Sequence, residues 1–160
     1  MDDTSFIQEG ELMGNNMELG YEMFCYQCEQ TAGGKGCTKL GVCGKTPEIA
    51  GLQDLLIFQI KGISCYAKTF IEQEQHVDKS IVTFIENALF TTLTNVNFDA
   101  DAHVKLLRQS QEIKETLKSS VGEINNPTYH ATYKLPNDKN EMLKDYNISG
   151  NMYNSSLDPE

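Results

Sequence analysis

The sequence predicts an all-α protein in which an N-terminal cysteine loop packs on an up-down three-helix bundle. Two observations predict this fold. Between residues 47 and 122, apolar side chains recur every three or four positions along three segments, and the links between the segments are short. Residues 24–45 instead hold four of the five cysteines and five of the twelve glycines, a composition typical of a loop.

The first helix is predicted over about 47–73. Thr46 is a suitable N-cap, Pro47 fits the first helical position, and Glu48 places an acidic group in the first turn. One apolar stripe follows at helical spacing, formed by Ile49, Leu52, Leu56, Ile60, Ile63, Ala67 and Phe70.

Two further stripes predict the second and third helices. The second comprises Ile81, Phe84, Ile85, Ala88, Leu89, Leu93 and Val96, with Asp78 or Ser80 as its cap. The third comprises Leu106, Ser110, Ile113, Leu117 and Val121, and begins at Asp99 or Asp101. Gly122 is expected to end it.

These patterns divide the chain into four parts. Residues 1–22 carry six acidic and no basic side chains, so we expect a disordered acidic extension. The cysteine loop spans 23–46 and the three-helix bundle spans 47–122. Residues 123–160, rich in Asn, Tyr and Pro, predict a polar irregular tail with at most one short helix near 138–146.

Composition excludes two classes of partner. The chain carries a net charge of −10 and has no basic patch, so nucleic acid is not an expected partner. No apolar run approaches the roughly 18 residues of a membrane-spanning helix, and the N-terminus lacks the features of a signal peptide. We therefore expect a cytoplasmic protein, a setting in which clustered thiols usually bind metal or do redox chemistry.

Cys25, Cys28, Cys37 and Cys43 form the pattern C-x2-C-x8-C-x5-C and are the candidate metal ligands. Two intervening residues let the first pair bind one centre, and the longer links let the other two thiolates approach it from the opposite side. The spacing favours an iron–sulfur cluster with four thiolate ligands, a 4Fe–4S centre by ligand count. A structural zinc site and a pair of disulfides remain alternatives.

The other polar candidates carry weaker signals. Cys65 lies within the first predicted helix and is expected to be a small buried hydrophobe. The three histidines share no metal-ligand spacing, and no catalytic residue is assigned within 1–160. Lys35, Lys39 and Lys45 are interpreted as solvated lysines, with compensation of cluster charge as the alternative. Loop side chains such as Gln27 and Thr31 are candidates for hydrogen bonds to sulfur.

The residues around the cysteines carry a resemblance to a known family. The stretch MFCYQCEQTAGGKGCTKLGVCGKTPEIAGLQDLLIFQIKGISCYA, from Met23 to Ala67, closely resembles the start of the hybrid-cluster proteins, also called prismane proteins or hydroxylamine reductases. The similarity continues through ENALFTTLTNVNFDADAH (Glu86–His103) and covers about residues 23–160. The x8 and x5 spacing resembles the class found in anaerobes, which holds a 4Fe–4S cluster.

The resemblance implies an oxidoreductase that reduces hydroxylamine to ammonia and water, with nitric oxide reduction as the alternative activity. Cys25, Cys28, Cys37 and Cys43 would then bind the 4Fe–4S cluster that accepts electrons from a donor redox protein. The small nitrogen-oxide substrate would be reduced at a second, hybrid iron–sulfur–oxygen cluster.

Members of this family are several hundred residues long, and the ligands of their hybrid cluster lie in later domains. The resemblance therefore implies that this chain is the N-terminal part of such an enzyme and is not catalytically competent alone. From another functional class, a stand-alone iron–sulfur or zinc binding module is the alternative.

Overall fold

The computed structural model describes residues 23–122 and 124–145. In these ranges it has five α-helices and one 3-10 turn, and no β-strand. The helices are α1 (Pro47–Glu72), α2 (Lys79–Thr91), α3 (Ala100–Val121), α4 (Tyr129–Thr132) and α5 (Lys139–Asp145). The prediction of an all-α fold is confirmed, whereas the predicted extension 1–22 lies outside the described residues, as does the last part of the tail.

Capping side chains determine where the three long helices begin and end. The Thr46 hydroxyl accepts the Ile49 N–H at 3.3 Å, while the carboxylates of Asp78 and Asp99 accept N–H groups of the first turns of α2 and α3. Gly122 follows α3 with a φ of 79°, a conformation that favours glycine. The predicted starts of the helices are therefore confirmed, and of the paired candidates Asp78 and Asp99 are the caps.

Helix α1 is the centre of the fold. Sixteen of its residues are buried, and it packs mainly against α3. The core that the two helices share includes Leu52, Leu55, Leu56, Ile63, Val104, Leu107 and Leu117. This arrangement leaves α1 almost without a solvent-facing side over its first five turns, as expected of a helix that is apolar around most of its circumference.

Helix α2 is shorter and less buried than its apolar stripe predicted. It ends at Thr91, and only Phe84 and Ala88 are buried along it. Leu93 and Val96, which the stripe assigned to the core, follow the helix in a turn and are 51% and 42% exposed. The apolar spacing extends past the end of the helix because these two turn residues are also apolar. The prediction that they belong to the core was wrong.

The beginning of the tail supplies the remaining neighbour of α1. His130, Ala131, Tyr133, Met142 and Leu143 are buried, and the short helices α4 and α5 both contact α1. The close approach requires Gly62 on α1, since a side-chain carbon there would collide with the His130 carbonyl oxygen. The short helix predicted near 138–146 is α5, but the tail also forms α4, where at most one helix was predicted. Residues 128–143 are packed in a way that their polar composition did not indicate.

A buried lysine ties this segment to α1 and α3. The Lys114 ammonium donates to Oε1 of Gln59 at 2.7 Å and to the Tyr133 carbonyl at 2.6 Å, and lies 3.5 Å from the His130 carbonyl. Lys114 is 1% exposed, and burial lowers its pKa to about 8. Because all three partners are acceptors, the ammonium is the donor that makes the junction possible.

Across the described residues, no helix is both long enough and apolar enough to span a bilayer.

Candidate functional site

The cysteine loop is organised by a short backbone pairing between its first and third cysteines. The Cys25 N–H donates to the Cys37 carbonyl at 3.0 Å, and the Cys37 N–H donates to the Cys25 carbonyl at 2.9 Å. Met23, Cys37 and Ala50 form a small apolar cluster that fixes this pair against the start of α1. Two of the four candidate ligands are therefore placed opposite each other by hydrogen bonds of the main chain.

A tight turn connects the two sides of this pair. It includes the 3-10 turn Ala32–Gly34, and Gly33 has a φ of 60°. At Gly36, where φ is 131°, an added Cβ would lie 2.5 Å from the Phe24 ring, so only glycine fits. At this position of the glycine-rich loop, glycine is therefore required for steric reasons.

The sulfur of Cys37 lies in surroundings that suit a thiolate. The Ala32 N–H donates to Sγ at 3.4 Å, and the Thr31 hydroxyl oxygen is 3.7 Å from the same sulfur. The hydrogen bond from Ala32 lowers the pKa of the Cys37 thiol most, and a second backbone N–H and Thr31 lower it further against the opposing effect of burial. Amide N–H groups directed at sulfur are also what stabilises an anionic iron–sulfur centre.

The remaining candidate ligands are accessible but are not gathered round one point. Cys28 and Cys43 are half-buried in the loop, and all five cysteines are free thiols. Within 23–122 and 124–145, no three or more His, Cys, Asp or Glu side chains are arranged to hold a single metal ion. The backbone brings Cys25 and Cys37 together, while Cys28 lies in the segment that connects them and Cys43 in the segment that follows Cys37.

Lys45 is not the solvated residue that the sequence suggested. It follows Cys43 by two positions, is 2% exposed, and donates from Nζ to Oε1 of Gln27 at 2.8 Å. The Gly41 N–H donates to the Lys45 carbonyl at 2.8 Å, which holds the end of the loop in a turn. The interpretation as a surface lysine was wrong for Lys45, whereas Lys35 and Lys39 are exposed as expected.

Two other loop candidates differ in their contacts. Thr31 is buried, and its hydroxyl donates to the Cys25 carbonyl at 3.1 Å beside the Cys37 sulfur. Tyr26 is 54% exposed, so its ring does not cover the loop. Cys65 lies on α1, where it packs against the edge of the helical core and its sulfur is 3.2 Å from the Thr128 hydroxyl oxygen.

His103 is a buried residue that sequence spacing did not single out. Its Nδ1 lies 2.7 Å from the Asp99 carbonyl, which can only accept, so Nδ1 carries the proton and Nε2 accepts from the Gln53 amide at 3.2 Å. Burial lowers the pKa of His103, which favours this neutral form. Its helical register with Leu106, Leu107 and Ser110 is the signal from which its burial could have been predicted.

Comparison with known proteins gives a consistent result for most of the chain. Residues 23–154 match the model of the Prismane/CO dehydrogenase family. Proteins named hydroxylamine reductase are 55% identical over 83 residues in Moorella thermoacetica and 47% identical over 105 residues in Bacteroides thetaiotaomicron. A third, from Thermotoga petrophila, is 46% identical over 110 residues.

The three alignments cover 52%, 66% and 64% of this chain. They cover only 19%, 19% and 25% of the respective relatives, so the chain spans about a fifth of the length of the curated relatives that it matches. The family match includes all four loop cysteines and all five helices of the described residues. On this evidence the chain belongs to the Prismane/CO dehydrogenase family.

Proposed function

We propose that this chain is the N-terminal electron-entry module of a cytoplasmic oxidoreductase that reduces hydroxylamine to ammonia and water. Cys25, Cys28, Cys37 and Cys43 would bind a 4Fe–4S cluster, which exchanges single electrons. The observation that carries the proposal is the environment of Cys37, where an amide N–H and a hydroxyl surround a buried sulfur. Relatives named hydroxylamine reductase support the reaction class.

The donor set of the loop fits such a cluster better than it fits a single ion. A cubane binds each of its four thiolates at a different iron, so its ligands need not converge on one point. A zinc ion instead needs all four sulfurs about 2.3 Å from one centre. An iron–sulfur cluster is therefore our proposal, and a structural zinc site is the alternative.

The residues of the loop would perform three tasks. The paired backbone of Cys25 and Cys37 holds two ligands in register, and the Ala32 N–H stabilises negative charge on sulfur. The small apolar cluster around Met23 keeps water from one side of the site. Exposed residues such as Tyr26 and Lys39 would leave part of the loop surface open to an electron-donating redox protein.

Anaerobic reconstitution tests this proposal. We expect about four iron and four acid-labile sulfide per chain, because four thiolates complete one cubane. Replacement of any one of Cys25, Cys28, Cys37 or Cys43 by serine is expected to abolish or degrade the cluster. Metal and sulfide analysis with the visible absorption spectrum measures the result.

Cys65→Ser is the matched control. Cys65 lies towards the C-terminal end of α1, where its sulfur contacts Thr128, so its replacement should not change the cluster content. Equal loss from Cys65→Ser would show that a ligand has been misassigned. One zinc and no sulfide in the wild-type protein would contradict the cluster and favour the zinc module.

Turnover is expected to require more than these 160 residues. A cubane whose irons are each held by one thiolate and three sulfides has no open position for hydroxylamine, and the buried neutral His103 offers no acidic proton. Purified chain with an intact cluster should be reduced by dithionite yet form no ammonia from hydroxylamine at a catalytic rate, as measured by an ammonia assay. Catalytic ammonia formation that is lost in Cys25→Ser would refute this. Reduction of nitric oxide is the alternative activity of the parent enzyme.

A further inference from the structure

Lys45 is a buried cation at the edge of the cysteine loop, and a buried cation is stable only where a negative charge lies nearby. Its side chain crosses from the end of the loop to Gln27, which lies between Cys25 and Cys28, and the two residues are 18 positions apart. Only 2% of Lys45 is exposed, although lysine is rarely buried to this extent without a charged partner.

The hydrogen-bond partner of Lys45 does not supply that charge. The Gln27 amide oxygen is neutral, and within the described ranges Lys45 forms no ion pair with a carboxylate. Burial lowers the pKa of His103 on α3 most, and the nearby Lys45 charge lowers it to a smaller extent. The His103 imidazole, bonded to the Asp99 carbonyl and to Gln53, is neutral or positively charged and so cannot be the counter-ion of an ammonium.

The cysteines are the groups that would carry negative charge beside Lys45, because Cys43 lies two positions before it and its partner Gln27 lies between Cys25 and Cys28. Gly41 lies against both the Lys45 side chain and the Cys43 sulfur, because a Cβ built there would be 3.0 Å from Lys45 Cβ and 3.2 Å from Cys43 Sγ. A buried ammonium that faces only neutral groups would be strongly destabilising. Near a site of thiolates and an anionic cluster the same ammonium would be compensated, and it would offset their negative charge.

We propose that the Lys45 ammonium is the buried counter-charge of the four-thiolate site and displaces the reduction equilibrium of its cluster towards the reduced state. The inference rests on the proposed function. Reduction adds one electron and therefore one negative charge to the cluster. A buried positive charge lowers the free energy of the more negative state, because screening by water is weak at a buried site.

The reduction potential measures this effect directly. The full chain is reconstituted anaerobically, and the potential is determined by a dye-mediated titration followed by absorbance and electron paramagnetic resonance. We expect Lys45→Met to decrease the equilibrium constant for reduction by at least about tenfold, which is about 59 mV for a one-electron couple. Lys45→Arg keeps the charge and should stay within about twofold of the wild type, a difference that is small against the full effect.

Two further variants separate charge from packing. Gln27→Met removes the hydrogen bond of Lys45 but keeps the ammonium, so its shift should be less than half that of Lys45→Met. Lys39→Met removes an exposed positive charge from the same loop, and solvent screening should keep its effect within about twofold. A wild-type potential in Lys45→Met, or an equal shift in Lys39→Met, would overturn the proposal.

Two outcomes could prevent the potential from being measured, and each still decides the question. If Lys45→Met fails to retain iron and sulfide, Lys45→Gln is titrated in its place. Loss of the cluster from both neutral variants but not from Lys45→Arg supports the counter-charge. Loss of the cluster from all three variants would assign Lys45 a packing role and overturn the proposal.

The proposed cluster itself fails if the wild-type chain binds zinc without sulfide. Four thiolates on zinc still carry net negative charge, so the counter-charge then predicts at least about tenfold weaker zinc binding in Lys45→Met than in Lys45→Arg, which is about 1.4 kcal/mol. Equal zinc affinities in the two variants would overturn the role of Lys45 independently of which metal the loop holds.

Discussion

Removal of the cluster is expected to unfold residues 24–45 and to weaken the helices behind them. The apolar cluster that anchors the loop is small, with only Met23, Cys37 and Ala50 buried together. Metal binding at sites of this kind contributes about 10 kcal/mol or more to folding. Because a small domain has a net stability of only about 5–15 kcal/mol, the loop cannot keep its fold without the metal.

Hydrogen exchange and circular dichroism of the metal-loaded and metal-free chain measure this effect. We expect the amides of Cys25 and Cys37, which are paired with each other, to lose their protection on metal removal. The melting temperature of the helical signal should fall as well, since the start of α1 packs against the loop. Cys65→Ser serves as the control, because it should lose no stability beyond that of the wild type on the same treatment. An apo protein with unchanged protection and melting temperature would contradict the expectation.

Replacement of Lys114 by methionine is expected to lower the free energy of unfolding by about 3 kcal/mol. Methionine matches the lysine side chain as far as Cε but has no ammonium and donates no hydrogen bond. The substitution leaves the Gln59 oxygen and the carbonyls of Tyr133 and His130 without their shared donor in a buried site. Denaturant unfolding followed by circular dichroism gives the change, and amide exchange at residues 128–135 should increase most.

The contribution of Lys114 should also depend on pH. Its pKa in the folded protein is about 8, below the ordinary value of 10.5. Between these values the unfolded chain holds more protons on this group than the folded chain does, so the free energy of unfolding rises with pH. The difference in stability between the wild type and Lys114→Met should therefore grow from pH 8 towards pH 10.5, while groups common to both proteins cancel.

Lys105→Met is the matched control for Lys114→Met. Lys105 lies on the same helix but is exposed, so its replacement should change stability by no more than about 0.5 kcal/mol and without this pH dependence. A similar loss from both variants would show that lysine at α3 acts through helix propensity rather than through the buried junction.

The sequence was informative where a short local signal decides the structure. Thr46, Asp78, Asp99 and Gly122 cap their helices because capping depends on residues within one turn. The apolar stripe of α1 is confirmed for the same reason, since periodicity identifies the buried side of a long helix. The pairing of Cys25 with Cys37 was not predicted, because backbone hydrogen bonds carry no residue-specific signal.

The buried polar residues were beyond the reach of such signals. Lys45 and Lys114 are charged side chains, and their burial depends on partners 18 and 55 positions away. A pattern that assigns charged residues to the surface therefore fails for both. The same limit explains α2, whose apolar stripe continued into a turn, and the tail segment, whose polar composition concealed Met142 and Leu143.

The packing of residues 128–143 on α1 has a consequence for the order in which the chain folds. Tyr66 donates to the Ala131 carbonyl across 65 positions, and Lys114 reaches Gln59 across 55. During synthesis α1 and α3 can meet while the groove beside Gly62 is still open, and it closes only after Tyr133 has left the ribosome. Contacts at such long separations slow folding. We therefore expect the nascent chain to pass through a stage in which the face of α1 that later packs against residues 128–143 is still exposed to water.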